Sequence, residues 1–303
     1  MAGRDQRDWT RRQFGLGGAA FAGLYATGAS AQPATPRVRL PDGSEVTALG
    51  QGSASLGIGR RRAAEEEDAL RTGISLGMTL IDTAELYGEG AAERLIARVI
   101  AGQRDKVFVV SKVWQTHATA SGIREACAAS LARLGTDYLD LYLLHWPEGV
   151  ADLRAVVETF ESLRREGRIR RWGVSNFFVA NMEELFRIPG GNACATNQVL
   201  YNLSERRIER DLLPWCERHG IPIMAYTPLG RGGDLLRNPA LARVAERHQR
   251  SPAAIALAWT IRSGHVIAIP ESGSSAHVRE NAAALSLRLT EADLVELDHA
   301  FPG

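Results

Sequence analysis

The chain has 303 residues, 45% of them hydrophobic and 23% charged, with a formal net charge of +1 at pH 7. Such a balance belongs to a folded globular protein and excludes an intrinsically disordered one, and a near-neutral charge gives nucleic acid or an acidic membrane surface no electrostatic hold. Three cysteines, Cys127, Cys194 and Cys216, leave one unpaired under any pairing, so they form no disulfide framework.

The first 31 residues stand apart. A basic stretch over 7–15 carries Arg11 and Arg12, a glycine-rich apolar run follows over 16–29, and Ala29-Ser30-Ala31 supplies a small-x-small cleavage pattern. This predicts a twin-arginine export signal over 1–31, a single domain over 32–303 and a periplasmic or secreted protein. The competing readings are a disordered basic tail or a short uncleaved anchor, with a cytoplasmic protein if the signal does not function. The apolar run is too short and too rich in glycine to span a bilayer, and no later run reaches about 18 apolar residues, so no stable membrane association is expected of the mature chain.

Beyond a linker-like stretch at 32–36, Asp42-Gly43 marks a hairpin turn, and strand and helix patterns then alternate to the end. Strands are expected near 48–52 and over 79–84, 106–112, 139–145, 170–176, 195–199, 221–226 and 266–270. Amphipathic or alanine-rich helices are expected over 64–77, 121–135, 151–167, 251–264 and 290–300. Ser251 as N-cap with Pro252 behind it starts one of them, and Gly77, Gly135, Gly167 and Gly264 stop four. Eight strands with helical crossovers and no internal boundary predict an α/β fold, a parallel (β/α)8 TIM barrel. An open doubly wound sheet is the alternative, disfavoured because no glycine fingerprint follows the first strand.

Three successive apolar runs end at ionisable side chains: Asp82, with Tyr87 just beyond it, then Lys112, then His145. A parallel barrel assembles an active site at the C-terminal rim in this way. Singly, each has a plainer reading, as a loop-tip tyrosine, a solvated lysine or a strand-capping histidine; in register, the four point to an enzyme. The seven histidines show no metal-ligand spacing, no Gly-x-Ser-x-Gly elbow occurs and no cysteine sits at a strand end, so neither a metal nor a covalent nucleophile is expected.

The strings IDTAELYGEGAAERLIARVI (81–100), VFVVSKVW (107–114), LARLGTDYLDLYLLHWP (131–147), EGRIRRWGVSNF (166–177), NQVLYNL (197–203), MAYTPLG (224–230) and IPESGSSAHVRENAAAL (269–285) occur in fixed order. In order and spacing they resemble the segments that mark aldo-keto reductases, and the likeness covers essentially the whole chain after residue 31. The resemblance implies a (β/α)8 barrel that binds a nicotinamide dinucleotide without a Rossmann domain. It implies reduction of an aldehyde or ketone to an alcohol by hydride transfer, or the reverse oxidation of a sugar or secondary alcohol, with a small molecule as the only partner and a monomer as the working unit. Tyr87 would be the proton donor, Lys112 would lower its pKa, Asp82 would hold Lys112, and His145 would position the carbonyl oxygen. A non-catalytic nicotinamide-binding sensor would not require those four together.

The same resemblance implies that Ser175, Asn176 and Gln198 hold the carboxamide and that Tyr226 stacks on the nicotinamide. Thr227, Leu229 and Gly230 would follow the pyrophosphate, and Ser272, Glu280 and Asn281 the adenosine. The chain departs from the commonest pattern at Glu271 and His277, where many members carry Lys and Arg. Both changes remove a fixed cation from the place of a 2′-phosphate, while Arg279 is left to reach a phosphate from its own side of the helix, so NAD or NADP stays open with a lean to NAD. Short segments after His145 and Gly230, and a stop at Gly303, lead to the expectation of an open mouth walled by Trp114, Trp146 and Phe177.

Overall fold

Residues 35–303 are described by the structure, a computed structural model. The export signal expected over 1–31 and the boundary after it lie outside the described residues. An antiparallel hairpin comes first, β1 (Arg37–Arg39) with β2 (Glu45–Thr47), turned at Gly43 (φ 85°), where Asp42 Oδ1 accepts from the Ser44 amide at 3.0 Å.

Eight strands then form one parallel sheet in sequence order: β3 (Gln51–Gly52), β4 (Leu80–Asp82), β5 (Phe108–Val113), β6 (Leu141–Leu144), β7 (Trp172–Ser175), β8 (Asn197–Leu200), β9 (Ile223–Tyr226) and β10 (Val266–Ala268). Bridges Leu49–Ala268 and Gly52–Glu271 join the last strand to the first and close the barrel. Between the strands run α1 (Ala63–Ser75), α2 (Ala91–Ile100), α3 (Ala120–Leu134), α4 (Leu153–Arg165), α5 (Val179–Arg187), α6 (Leu212–Arg218), α7 (Pro239–His248) and α8 (Pro252–Thr260), with α9 (Ser275–Ala282) and α10 (Glu291–Ala300) after β10. The predicted strands and helices are all present, with ends displaced by a few residues where polar flanks extend the sequence pattern past the last ladder bond. Local chemistry explains the helix starts: Thr119, Asp152, Asn238 and Ser251 each accept from an amide in the first turn, and Pro252 follows Ser251 as expected.

Strand alternation sorts the core into two shells. Leu80, Val110, Leu141, Leu143, Met224 and Ile267 fill the barrel, joined by Val38, Leu40 and Val46 of the hairpin. Ile81, Val109, Tyr142, Leu144, Trp172, Val174 and Ile223 face outward into the helices. The inner layer is tight enough that a Cβ on Gly173 would stand 2.5 Å from the Thr196 carbonyl and 2.9 Å from Leu143 Cδ2. Phe177, expected as a wall of the mouth, is instead fully buried in the outer shell. The three cysteines are free and buried, and burial pushes each thiol up to about 12. Among the described residues no helix is long and apolar enough to cross a membrane.

Asp293 ties α10 back to α7. One carboxylate oxygen accepts from Arg247 at 2.7 Å, the other meets His248 Nε2 at 2.7 Å and accepts from Thr290 Oγ1 at 2.7 Å. Burial alone would raise its pKa, but these bonds from His248, Thr290 and Arg247 hold it well below the usual carboxylate range. A depressed native value makes the contribution whole above the unfolded pKa, near 3.8, and lost as pH falls through the folded one. Asp293→Asn should lower the unfolding free energy at pH 7 by about 2 kcal/mol. It should also flatten the acid-side decline below about pH 4, as read by urea titration at stepped pH. Parallel pH profiles for the two proteins would count against this role.

Candidate active site

The register of the barrel places the polar residues. Asp82 pairs with Val110, so Lys112 lies two residues further along the same inward face; Lys112 pairs with Leu143, which sends His145 inward in turn. Leu143 pairs with Gly173, setting Ser175 on that face, Ser175 pairs with Gln198, and Gln198 pairs with Met224, two residues short of Tyr226. A climbing row of inward polar groups results, at the C-terminal ends of the strands.

Lys112 has no solvent exposure, and its ammonium donates to Asp82 Oδ1 at 2.7 Å, the Thr83 carbonyl at 2.9 Å and Tyr87 Oη at 3.2 Å. Those three acceptors use all three of its protons. The second Asp82 oxygen accepts from Gln198 Nε2 at 2.8 Å. Burial works against the Lys112 charge, but Asp82 and Tyr87 outweigh it and the pKa rises, which keeps the ammonium charged. The Tyr87 phenol differs from the sequence expectation. Burial raises its pKa above the ordinary value and outweighs the opposing pull of Lys112, with Asp82 and Glu271 adding to the rise. Tyr87 is therefore protonated at rest.

His145 leaves β6 with its ring edge-on to Trp114, centroids 5.0 Å apart, and to Tyr87, 5.9 Å apart. Burial, reinforced by the Lys112 charge, pushes the imidazole down to about 3, so it is neutral at ordinary pH. Its Nδ1 is buried without a hydrogen-bond partner among the described residues.

The remaining central residues form a continuous chain of hydrogen bonds. Ser175 Oγ donates to the Gln198 carbonyl at 2.8 Å; Asn176 Nδ2 donates to Ser175 Oγ at 3.0 Å and to the His145 carbonyl at 3.1 Å; Tyr226 donates to Asn176 Oδ1 at 3.0 Å. Asn176 and Thr227 hold left-handed backbone (φ 63° and 51°), a strain that these contacts and an Asn202 bond to the Thr227 carbonyl sustain. Leu229 and Gly230 continue from Thr227 along the rim. A second group lies apart: Glu271 and Ser272 precede α9, with His277 and Glu280 exposed on that helix and Asn281 buried beneath it. Among the described residues no side-chain hydrogen bond joins this group to the first. The half-buried Tyr226 ring, bonded to Asn176 among the clustered amides, suits the ring and carboxamide of a nicotinamide. Helix α9, opening through 272–274, suits its distant phosphates.

Several supporting residues escaped the sequence reading. Ser53 Oγ donates to the Asp82 carbonyl at 2.8 Å, and Glu85 Oε1 accepts from the Trp114 amide at 2.6 Å. Nothing in a single sequence marks them. Lys112 did carry an unused signal, since only two of the 36 basic residues are lysines, Lys106 and Lys112. Among the described residues no group of acids, histidines or cysteines is placed to hold a metal.

Residues 48–301 match the Aldo/keto reductase family. Methylglyoxal reductase YeaE of Escherichia coli is 49% identical over 259 residues, 84% of this chain and 91% of that protein. Glyoxal reductase of Bacillus subtilis is 33% identical over 261 residues, 86% of this chain and 91% of that protein. A crystal structure of an aldo/keto reductase from Klebsiella pneumoniae in complex with NADP and acetate is 45% identical, covers 88% of this chain and 96% of its own, and superposes with a TM-score of 0.86.

The His145 ring should show no protonation between pH 8 and about pH 5. Long-range ¹H–¹⁵N spectra of imidazole-labelled protein, assigned by comparison with His145→Asn, would test this. A titration midpoint between about 6 and 7 would mean that the ring is solvated rather than enclosed.

Proposed function

The chain belongs to the aldo/keto reductase family, an NAD(P)-dependent class of carbonyl-reducing oxidoreductases, and from that premise we propose that it reduces small aldehydes, 2-oxoaldehydes such as methylglyoxal among them, with NADPH. The observation that carries the reading is the part-buried Tyr87 phenol, 3.2 Å from a fully buried Lys112 ammonium that is itself held against Asp82.

The bound dinucleotide supplies the hydride. The chain supplies the proton and the electrostatics. Tyr87 is protonated at rest and gives its proton to the carbonyl oxygen as alkoxide charge develops there. The charge left on the phenol then stands beside Lys112, an attraction that grows only as the proton leaves, so it favours the transition state over the ground state. Asp82 and Gln198 keep Lys112 from turning away. His145, neutral and bare of charge, donates a hydrogen bond to the same carbonyl oxygen without competing for the proton.

Support for a small substrate comes from the rim and from the relatives. The connection from β6 to α4 is short, and that from β9 to α7 holds only two 3-10 turns. Leu86, beside Tyr87, and Ile58, whose side chain lies against Gly88, are exposed apolar groups at the mouth, with Trp114 next to His145. An open, shallow mouth accepts a three-carbon dicarbonyl without needing a fitted pocket. Two of the relatives are reductases of methylglyoxal and glyoxal by name. For the cofactor, the Klebsiella relative holds NADP, and Glu271, the residue behind the lean to NAD, turns its carboxylate to the Ser55 amide at 2.8 Å.

We further propose that Arg11-Arg12 directs export of the folded enzyme, the support being the 1–31 pattern alone. Fractionation of cells expressing the full chain, repeated with Arg11→Lys/Arg12→Lys, should move the protein from periplasm to cytoplasm. Cytoplasmic protein in both cases would end the export reading.

Tyr87→Phe should lower turnover of methylglyoxal by at least about 100-fold while NADPH affinity changes by less than about twofold. Stopped-flow turnover and fluorescence titration read the two effects separately. Undiminished turnover would remove Tyr87 from the chemistry.

A further inference from the structure

The connection between β3 and α1 (residues 53–62) packs directly on the segment that leads into α9. The Ser55 amide donates to Glu271 Oε2 at 2.8 Å, and a Cβ built on Gly273 would stand 3.0 Å from Arg61 Cδ, 3.2 Å from Glu66 Cγ and 3.5 Å from Leu56 Cδ2. The stem of Arg61 therefore lies across Gly273, next to Ser272 and close to Glu271. Three arginines stand in a row here, exposed along an open cleft that Gly59 and Glu65 also line. Arg62 is committed to Glu65, with Nε 2.8 Å from Oε1. Among the described residues no carboxylate lies within ion-pair distance of Arg60 or Arg61.

Two facts about charge meet at this point. The side chains at 271 and 277, where cations would face a 2′-phosphate, are Glu and His. Yet a guanidinium without a counter-ion is held over the same segment from the opposite side of the rim. We infer that Arg61 is the residue that selects NADPH over NADH, its guanidinium meeting the 2′-phosphate that Glu271 and His277 cannot. A phosphate dianion and a planar guanidinium match as a two-point, charge-assisted pair, and a stem already seated on Gly273 loses less freedom on binding. Glu271 keeps its charge, but the hydrogen bond holds its Oε2 against the Ser55 N–H, leaving the Arg61 guanidinium as the group that meets the phosphate directly. Gly273 is part of the device, since a Cβ there would stand 3.0 Å from Arg61 Cδ and press on the stem.

The inference rests on the NADPH reading above, and the test separates the two. The purified full chain is titrated by calorimetry with 2′,5′-ADP, 5′-AMP, NADPH and NADH. Wild-type protein should favour the 2′-phosphorylated member of each pair. Arg61→Ala should weaken 2′,5′-ADP and NADPH by about tenfold or more and leave 5′-AMP and NADH within about twofold. Arg61→Lys should restore part of the loss, Gly273→Ala should reproduce part of it, and Arg62→Ala should change neither pair. If the wild type prefers 2′-phosphorylated ligands and Arg61→Ala keeps that preference, or weakens all four ligands alike, the assignment to Arg61 falls and the NADPH reading stands. A wild type with no such preference overturns both.

Discussion

An ammonium group removed entirely from water persists only if every proton it carries finds an acceptor and its charge finds a partner. Lys112 meets that demand with Asp82, the Thr83 carbonyl and Tyr87, and the rest of the barrel is arranged to make the arrangement unavoidable. The register of β5 is fixed from both faces. Lys112 points inward to Asp82, while its neighbour Ser111 points outward and donates to Glu93 of α2 at 2.7 Å, a buried acid that also pairs with Arg133 of α3. A slip of one residue would turn the ammonium outward among the helices and leave the buried Asp82 without its cation.

From that fixed point the site extends by strand pairing alone. Each step around the barrel carries the next inward polar residue to the top of its strand, above a floor of Leu143, Gly173 and Met224. Hydrogen bonds then link Gln198, Ser175, Asn176 and Tyr226 into one body with Asp82, so the groups proposed to grip the cofactor and those proposed to perform chemistry cannot move independently. The segment 271–274 and α9 stand outside this body and take their support from α1 and the loop before it. Two separately supported halves suit a long ligand whose reactive end must be held rigidly and whose far end supplies affinity.

Most of the fold was legible because periodicity and punctuation agreed. Apolar runs gave the strands, and glycines at 77, 135, 167 and 264, all with positive φ in the structure, ended the helices where expected. The four central residues were legible for the same reason, since they interrupt apolar runs. Phe177 was misread through a break in alternation. Two residues past inward Ser175, it should also point inward, but the left-handed turn at Asn176 reverses the chain and drives the ring into the outer shell. Lys112 pulls the Tyr87 pKa down as the resemblance implies, but the net rise was out of reach because a sequence names the nearby cation and not the burial that opposes it. The orientation of Glu271 was out of reach, since its partner Ser55 lies 216 residues away in sequence.

The scarcity of lysine also has a practical meaning. Of the two, Lys112 has no solvent exposure, while Lys106 is exposed just before β5, at the end of the barrel remote from the site. Amine-directed coupling of the folded protein at mildly alkaline pH thus meets one side chain besides the amino terminus. Anchoring to a surface through Lys106 turns the mouth outward, so an immobilised or singly dye-labelled enzyme follows from ordinary bioconjugation without engineering a handle.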